Sequence, residues 1–323
     1  MAIEDALVRV QAGGRASVQS AKVLVTGSAG LLGLPLVQHL AADNEVWGIA
    51  RFRDVASRER VEAAGATTRS VDLALGDFGD LPDDFDYVIH LATHRGSGTD
   101  FDAALRTDAE GTALLLRHCR NARAALVMSA GAVYRLSDDP SHAYVEDDPL
   151  GEGSVPGTPT YSIAKIAQEA VARSCARLYD LPVVITRMNS AYGPNGGLVV
   201  RHLDAIMNKQ PLSIGAPGTK FNPIHHHDIN IQTERMLAAA SVPATIVNWG
   251  GDEVVGPEDW CAYFGELTGK EVDLAAATTG GYPSSICDIT KRQSITGPCE
   301  ISWRDGMREL VESCYPGTIR SAG

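Results

Sequence analysis

No apolar run in this 323-residue chain approaches the roughly 18 residues that cross a bilayer. A membrane span is therefore not expected. Basic residues are scarce: 28 Lys and Arg stand against 40 Asp and Glu, for a formal net charge of −12. That balance opposes non-specific binding to nucleic acid or to an anionic membrane, so neither is an expected partner, although a local basic cleft stays compatible with it. The six cysteines (Cys119, Cys175, Cys261, Cys287, Cys299 and Cys314) include no C-x-x-C pair. Free thiols in a reducing compartment are expected, not a disulfide framework or a zinc site. Internal repeats and low-complexity tracts are absent. Residues 1–20 carry Glu4 and Asp5 and lack a long apolar core, so they do not read as a secretory signal. They read as an extension with a short helix from Ile3 to Val10, and a cytoplasmic location is the expectation.

What the chain does contain is organised around one stretch, Val23-Leu24-Val25-Thr26-Gly27-Ser28-Ala29-Gly30-Leu31-Leu32-Gly33. An apolar run ends in three glycines, and Leu34, Leu36, Val37 and Leu40 follow with helical spacing. The pattern reads as strand, tight turn, helix. Such a turn brings backbone N–H groups to a helix N-terminus, where the dipole favours an anion. Gly27 allows the turn, Gly30 lets a diphosphate approach the backbone, and Gly33 lets helix and strand pack closely. The spacing is G-x-x-G-x-x-G, one residue wider at its start than the commonest dinucleotide fingerprint. Glycines that merely end a strand are the plainer alternative, and the rest of the chain decides between them.

Further strands are expected at Glu45–Ala50, Thr67–Leu73, Tyr87–Ala92, Ala125–Ser129 and Val183–Arg187. Helical patterns lie between them at 54–64, 101–120 and 161–179. Strands alternating with helices predict right-handed crossovers and a parallel sheet, the doubly wound α/β class. The texture changes after Gly193-Pro194, where glycine and proline recur and short helices are expected at 198–208, 228–240, 257–268 and 303–314. The expected division is therefore an extension over 1–20, a main α/β domain over 21–193, and a smaller α/β substrate lobe over 194–323, some of whose segments return to the main domain. At 44% hydrophobic, the chain can build a core of that size.

The end of the second strand bears on the cofactor. About 20 residues past the glycine turn, a carboxylate would bind a ribose 2′-hydroxyl and an arginine would accept a 2′-phosphate. Here Ile49-Ala50-Arg51-Phe52-Arg53 precedes the first carboxylate, Asp54. If the segment is extended, Arg51 and Arg53 face one side. Guanidinium forks suit a phosphate, so NADP is expected over NAD. A solvated pair at a strand end is the simpler alternative.

Tyr161 and Lys165 open the long helix, one turn apart on one face. A free phenol titrates near pH ~10. An adjacent ammonium and an oxidised nicotinamide ring both favour the phenolate. The pair can then move a proton on a hydroxyl or carbonyl while the cofactor exchanges a hydride.

Taken in order, the glycine turn, Val71-Asp72-Leu73, His90-Leu91-Ala92, Asp108 to Thr112, Ser129 to Tyr134, Glu146 to Pro149, Tyr161 with Lys165, Arg187 to Pro194 and Pro223 to Asp228 resemble an extended short-chain dehydrogenase/reductase of the NAD-dependent epimerase/dehydratase family. The resemblance spans about residues 22 to 315 and implies a Rossmann fold. It also implies that Asp72 contacts the adenine, that Leu91 and Ala92 lie along the cofactor, and that Lys165 holds the nicotinamide ribose. With Gly27, Gly30, Gly33, Arg51 and Arg53, the residues Leu31, Leu32, Leu73, Thr93 and Asn189 complete the expected cofactor set.

Departures from the family pattern are equally informative. The hydroxyl residue four before the tyrosine of the V-Y pair is replaced by Ala130. Ser129 stands one place early, and it serves only if the backbone leaves strand geometry there. The Asp-Glu pair of the dehydratases is Gly131-Ala132, which argues against 4,6-dehydration. The asparagine three after Arg187 is Ser190, with Asn189 one place off. The arginine that clamps a nucleotide diphosphate, seven before Asp228, is Phe221; the adjacent Lys220 is no bidentate fork. Expected substrate contacts are His94, Ser129, Tyr161, Ser190 and Phe221.

His225-His226-His227 invites a metal reading, but successive residues on an extended segment cannot all face one ion. A structural role is expected, with no metal, and Asp228 reads as the N-cap of the next helix. The sequence thus points to an NADP-linked oxidoreductase acting on a carbonyl or secondary alcohol, with Tyr161, Lys165 and Ser129 as the catalytic candidates. A sugar epimerase that keeps its cofactor is the alternative, and a non-catalytic NADP-binding sensor is a third reading. The expected partners are a small-molecule substrate and, as one option, a second copy in a homodimer.

Overall fold

Aliphatic runs separated by amphipathic helices set the order of elements. The structure, a computed structural model, describes residues 18–96, 98–151, 158–214, 218–276 and 283–320. The expected helix from Ile3 to Val10 lies outside the described residues. The chain opens with β1 (Lys22–Thr26), α1 (Gly33–Leu40), β2 (Glu45–Ala50), α2 (Val55–Ala63), β3 (Thr67–Ser70) and β4 (Tyr87–His90). It continues through α3 (Phe101–Leu105), α4 (Gly111–His118), β5 (Ala124–Ala130), β6 (Ala143–Tyr144), α5 (Thr160–Tyr179), β7 (Val183–Met188) and β8 (Ala191–Tyr192). The rest comprises α6 (Leu198–Met207), β9 (Leu212–Ile214), β10 (Ile224–His225), α7 (His226–Ala238), β11 (Thr245–Trp249), α8 (Pro257–Thr268), β12 (Leu274–Ala276), β13 (Ile286–Cys287), α9 (Thr290–Thr296) and α10 (Trp303–Cys314).

Seven strands form one parallel sheet in the order β11-β7-β5-β4-β1-β2-β3. The order reverses between β1 and β4, the switch point beyond whose strand ends ligands of this fold class bind. Both faces are covered, so the strands read as continuous apolar runs. Val23, Val25, Leu126 and Val184 pack under Leu36, Val37 and Leu40 of α1 and Met236 and Leu237 of α7. Leu24, Val88, Ala125 and Val183 pack under Leu115 and Leu116 of α4 and Ala172, Cys175 and Ala176 of α5. A separate cluster holds α6, α8 and α10 together through Leu203, Ile206, Trp260, Phe264, Met307, Leu310 and Val311. The C-terminal half returns once to the main sheet, as β11 beside β7.

Two strands and one helix of the main domain are cut short or interrupted relative to expectation. The third and fourth strands stop at Ser70 and His90, where the chain turns toward the cleft. The helix expected over 101–120 is α3, a π-turn at Arg106–Glu110, and α4. The π-turn carries Asp108 inward, where it is 1% exposed. Its carboxylate accepts the His94 N–H at 2.7 Å and the Thr93 hydroxyl at 3.2 Å. Those bonds fix the loop after β4 and account for the extra residue in the helix. Asp228 is inside α7, not its N-cap: α7 begins at His226, and the Asp228 carboxylate accepts N–H groups from Glu300 and Ile301.

Candidate active site

The glycine turn leaves the end of β1 with Gly27 at φ +65, a conformation suited to glycine. A Cβ on Gly33 would lie 2.2 Å from the Gly27 carbonyl oxygen, so only glycine lets α1 begin this close to the turn. The turn opens on one cavity of about 620 Å³, within the usual range for cofactor pockets of about 300–1,000 Å³. Gly27, Gly30, Leu31, Leu32, Gly33, Arg51, Arg53, Asp72, Leu73, Leu91, Ala92, Thr93, Ser129, Tyr161, Lys165, Asn189, Ser190 and Phe221 all line it. Of the expected site residues only His94 is missing. Its neighbours Thr93 and Arg95 line the cavity, whereas the His94 ring lies against Gly96. Of the expected substrate residues, His94 alone does not line the cavity.

A buried polar chain joins the glycine turn to the lysine. The Thr26 hydroxyl oxygen accepts the N–H groups of Leu91 and Ala92. Its own proton goes to His90 Nδ1, 2.7 Å away. The other ring nitrogen then donates to Thr112 Oγ1 at 2.8 Å, whose proton is given to the Asp108 carbonyl. Gln168 Nε2 also donates to Thr112 Oγ1 at 3.1 Å, and its carbonyl accepts from Lys165 Nζ at 2.9 Å. Lys165 donates further to the Met128 carbonyl at 3.0 Å. Burial holds His90 down at about 3, with the Lys165 charge acting in the same direction. Burial also pulls Lys165 below the ordinary lysine range, opposed by the charges of Asp108 and Glu169. Its Nζ lies 5.9 Å from the centre of the half-buried Tyr161 ring.

A second buried network lies behind Ser129. Glu169 and Arg187, side chains 3% and 2% exposed, form a forked pair at 2.8 and 2.9 Å. Arg187 also donates to the Tyr134 hydroxyl at 3.0 Å and to the Glu146 carbonyl at 2.8 Å. Burial opposes the Arg187 charge, but the Glu169 pairing outweighs it and raises its pKa further. Tyr134 is pushed up to about 12 by burial. The Ser129 hydroxyl donates to Glu169 Oε1 at 2.6 Å. It is committed to this network, and β5 keeps strand geometry through Ala130, so the backbone break that Ser129 needed to replace the missing hydroxyl does not occur. Ala130 itself lines the cavity.

Arg51 and Arg53 reach the cavity by another route than the extended segment expected. Strand β2 ends at Ala50, and Phe52 adopts φ +38. That bend tucks Phe52 against the core and leaves both arginines on the cavity wall. Nearby Arg58 and Arg69 pair with Glu62 and Asp80. Among the described residues Arg51 and Arg53 have no such acidic partner. The glycine cradle, the cavity size and these two cations fit a dinucleotide.

Asn189 spends its amide on the protein: its oxygen accepts from the Ser190 and Asn222 N–H groups, and its NH₂ donates to the Ser285 carbonyl at 2.6 Å. Phe221 is 6% exposed and packs 6.1 Å from the Trp260 ring as part of the lobe core. Lys220 pairs with Asp259 at 2.6 Å. Arg95, Arg201, Met128, Leu136 and Pro283 to Ser285 also line the cavity. Sequence reasoning missed these because they come from distant loops with no shared spacing. Gln168 and Glu169 did carry a signal, since they stand three and four residues after Lys165 on its helix face.

Fold and site together define a dinucleotide-binding enzyme with a tyrosine–lysine pair in its cleft. The sequence profile of the NAD dependent epimerase/dehydratase family matches residues 23–221, and the chain belongs to that family. A protein named "Probable dTDP-glucose 4,6-dehydratase" from Sinorhizobium fredii is 27% identical over 250 residues, 71% of each chain. "Low-salt glycan biosynthesis protein Agl12" from Haloferax volcanii is 25% identical over 90% of this chain and 97% of its own. In fold, the chain is similar to UDP-glucuronic acid 4-epimerase from Bacillus cereus, solved with UDP-glucuronic acid and NAD. That match has a TM-score of 0.78 at 23% identity and covers 91% of this chain and 100% of the other.

Proposed function

We propose that this protein is an NADP-linked oxidoreductase acting at a carbonyl or secondary alcohol of a small molecule. The observation that carries the reading is that Tyr161 and Lys165 line the same cavity as the glycine turn and two arginines that have no acidic partner among the described residues. Bound there, a nicotinamide dinucleotide supplies or accepts the hydride. In its ammonium form Lys165, one helical turn from the phenol, favours the phenolate. Tyr161 then gives a proton to, or takes one from, the reacting oxygen. Arg51 and Arg53 hold the 2′-phosphate that distinguishes NADP. Ala130, Met128, Leu136 and Phe221 offer the substrate an apolar wall with no forked cation at the clamp position. A nucleotide-diphosphate sugar is disfavoured on that ground. Gly131 and Ala132, where dehydratases of this family carry an acid and a base, disfavour water loss.

The kinship with nucleotide-sugar enzymes favours a second reading, an epimerase that keeps its cofactor and returns the hydride to the opposite face. Two measurements separate the readings. Mass analysis of the purified protein reports retained nucleotide, and a panel of ketones and alcohols with NADPH reports net redox turnover. Exchangeable cofactor with consumption of NADPH supports the oxidoreductase. Stoichiometric, non-exchanging cofactor, with saturable binding of a nucleotide-diphosphate sugar, supports the epimerase instead.

A further inference from the structure

His225 and His226 stand where β10 turns directly into α7. The backbone is extended at His225 (φ −74, ψ 145) and helical from His226 onward. That change of course brings two successive side chains together, which a straight strand would have set on opposite faces. Their ring centres are 4.3 Å apart at 69°. All four ring nitrogens are buried without a hydrogen-bond partner among the described residues, and His225 is only 2% exposed. Buried polar atoms are normally satisfied, so two adjacent rings with unsatisfied nitrogens call for an account.

Glu309, on α10, faces the same point. One of its carboxylate oxygens lies 3.9 Å from His225 Nε2. One ligand atom from each of the three residues lies within 4.8 Å of the others. The Glu309 side chain is 53% exposed and able to rotate inward. None of the three lines the catalytic cavity.

We propose that His225, His226 and Glu309 bind a zinc ion. Two imidazoles and a carboxylate form a zinc ligand set, with water left to fill the fourth position. Magnesium and calcium prefer oxygen ligands throughout, so they are the wrong ions here. Zinc bonds of about 2.0–2.2 Å require the ligand atoms to draw closer, and rotation of Glu309 supplies that contraction. The ion ties α10 to the β10–α7 junction. Because α10 carries Met307, Leu310 and Val311 into the lobe core, and β10 pairs with Ala191 and Tyr192 beside the cavity, the tie steadies the lobe against the cleft. The site is independent of the reaction proposed above.

The test uses untagged full-length protein stripped with a chelator. Titration with zinc by calorimetry, and with cobalt(II) by visible absorption, should show one ion per chain. Glu309→Gln alters an exposed side chain and should fold normally. It should weaken zinc binding by about tenfold or more, since even outer-shell changes at metal sites cost about that much. His226→Asn should do the same, whereas His227→Ala, whose ring pairs with Glu300 instead, should bind zinc as the wild type does. Zinc should raise the melting temperature of the wild type more than that of Glu309→Gln. No stoichiometric zinc binding, or binding equal in wild type, Glu309→Gln and His226→Asn, overturns the proposal.

Discussion

At the scale of single residues, the account depends on a phenol beside an ammonium. Tyr161→Phe keeps the ring and removes only the hydroxyl. Turnover with NADPH should fall by about 10²–10⁴-fold, the usual contribution of a positioned acid–base group, with cofactor affinity little changed. Lys165→Ala should lower both, because Lys165 also anchors Gln168 and the end of β5. Steady-state kinetics and fluorescence titration of both variants check this, and a Tyr161→Phe enzyme at wild-type speed would refute it. The pair was legible in the sequence because it rests on a spacing of four within one helix. The commitment of Ser129 was not legible, since its partner Glu169 is 40 residues away in the chain. Nor was the bend at Phe52, where a non-glycine residue with positive φ leaves no compositional mark.

At the scale of elements, α5 does two jobs with one face. Its first turns carry Tyr161 and Lys165, and the next turn carries Glu169, which holds β7 through Arg187 and β5 through Ser129. Removing one member of a buried ion pair leaves an uncompensated charge and costs about 3–5 kcal/mol. Glu169→Ala should therefore destabilise the protein by about that amount in urea unfolding, and Ser129→Ala by about 1.5–3 kcal/mol, the worth of a hydrogen bond to a charged group. Because the Ser129 proton is already spent, Ser129→Ala should leave turnover within a few-fold. A large loss of turnover at unchanged stability would return Ser129 to the catalytic set. The long elements were readable: β2, α8 and α10 run over the residues their patterns predict. The π-turn was not, because inserting one residue barely disturbs an apolar helical period. Short strands between the lobe helices could be expected, but the pairings β8–β10, β9–β12 and β6–β13 could not. Each forms only when distant segments meet, so no local periodicity announces it.

At the scale of the whole molecule, buried imidazoles, His90 and His202 among them, set an acid limit. Burial holds His90 down at about 3 and His202 at about 4. His202 Nδ1 accepts the Trp260 indole N–H at 3.0 Å, a bond that protonation would break. Once unfolded, both rings take up protons near the ordinary value of 6.5. The unfolded chain then binds more protons than the folded one. Stability that is fully present above pH ~6.5 should decline progressively as the pH falls toward about 4 and then about 3. Urea unfolding at several pH values between about 7 and about 5 should show the decline before most carboxylates titrate. His202→Gln, which keeps an acceptor without a titrating ring, should flatten part of it. A level profile in the wild type would contradict this.

The claim that NADP is the cofactor depends on the molecule as assembled, since the β2 end, the bend at Phe52 and the cavity wall must together present Arg51 and Arg53 to one phosphate. A charge-assisted contact contributes about 1.5–3 kcal/mol, which corresponds to a preference of about tenfold or more. The decisive measurement is a fluorescence titration of NADPH and NADH against wild type and Arg51→Ala. The account predicts that the wild type binds NADPH at least about tenfold more tightly than NADH, and that Arg51→Ala loses most of that preference while holding NADH unchanged. Equal affinities in the wild type, tighter binding of NADH, or a preference that survives in Arg51→Ala would contradict it.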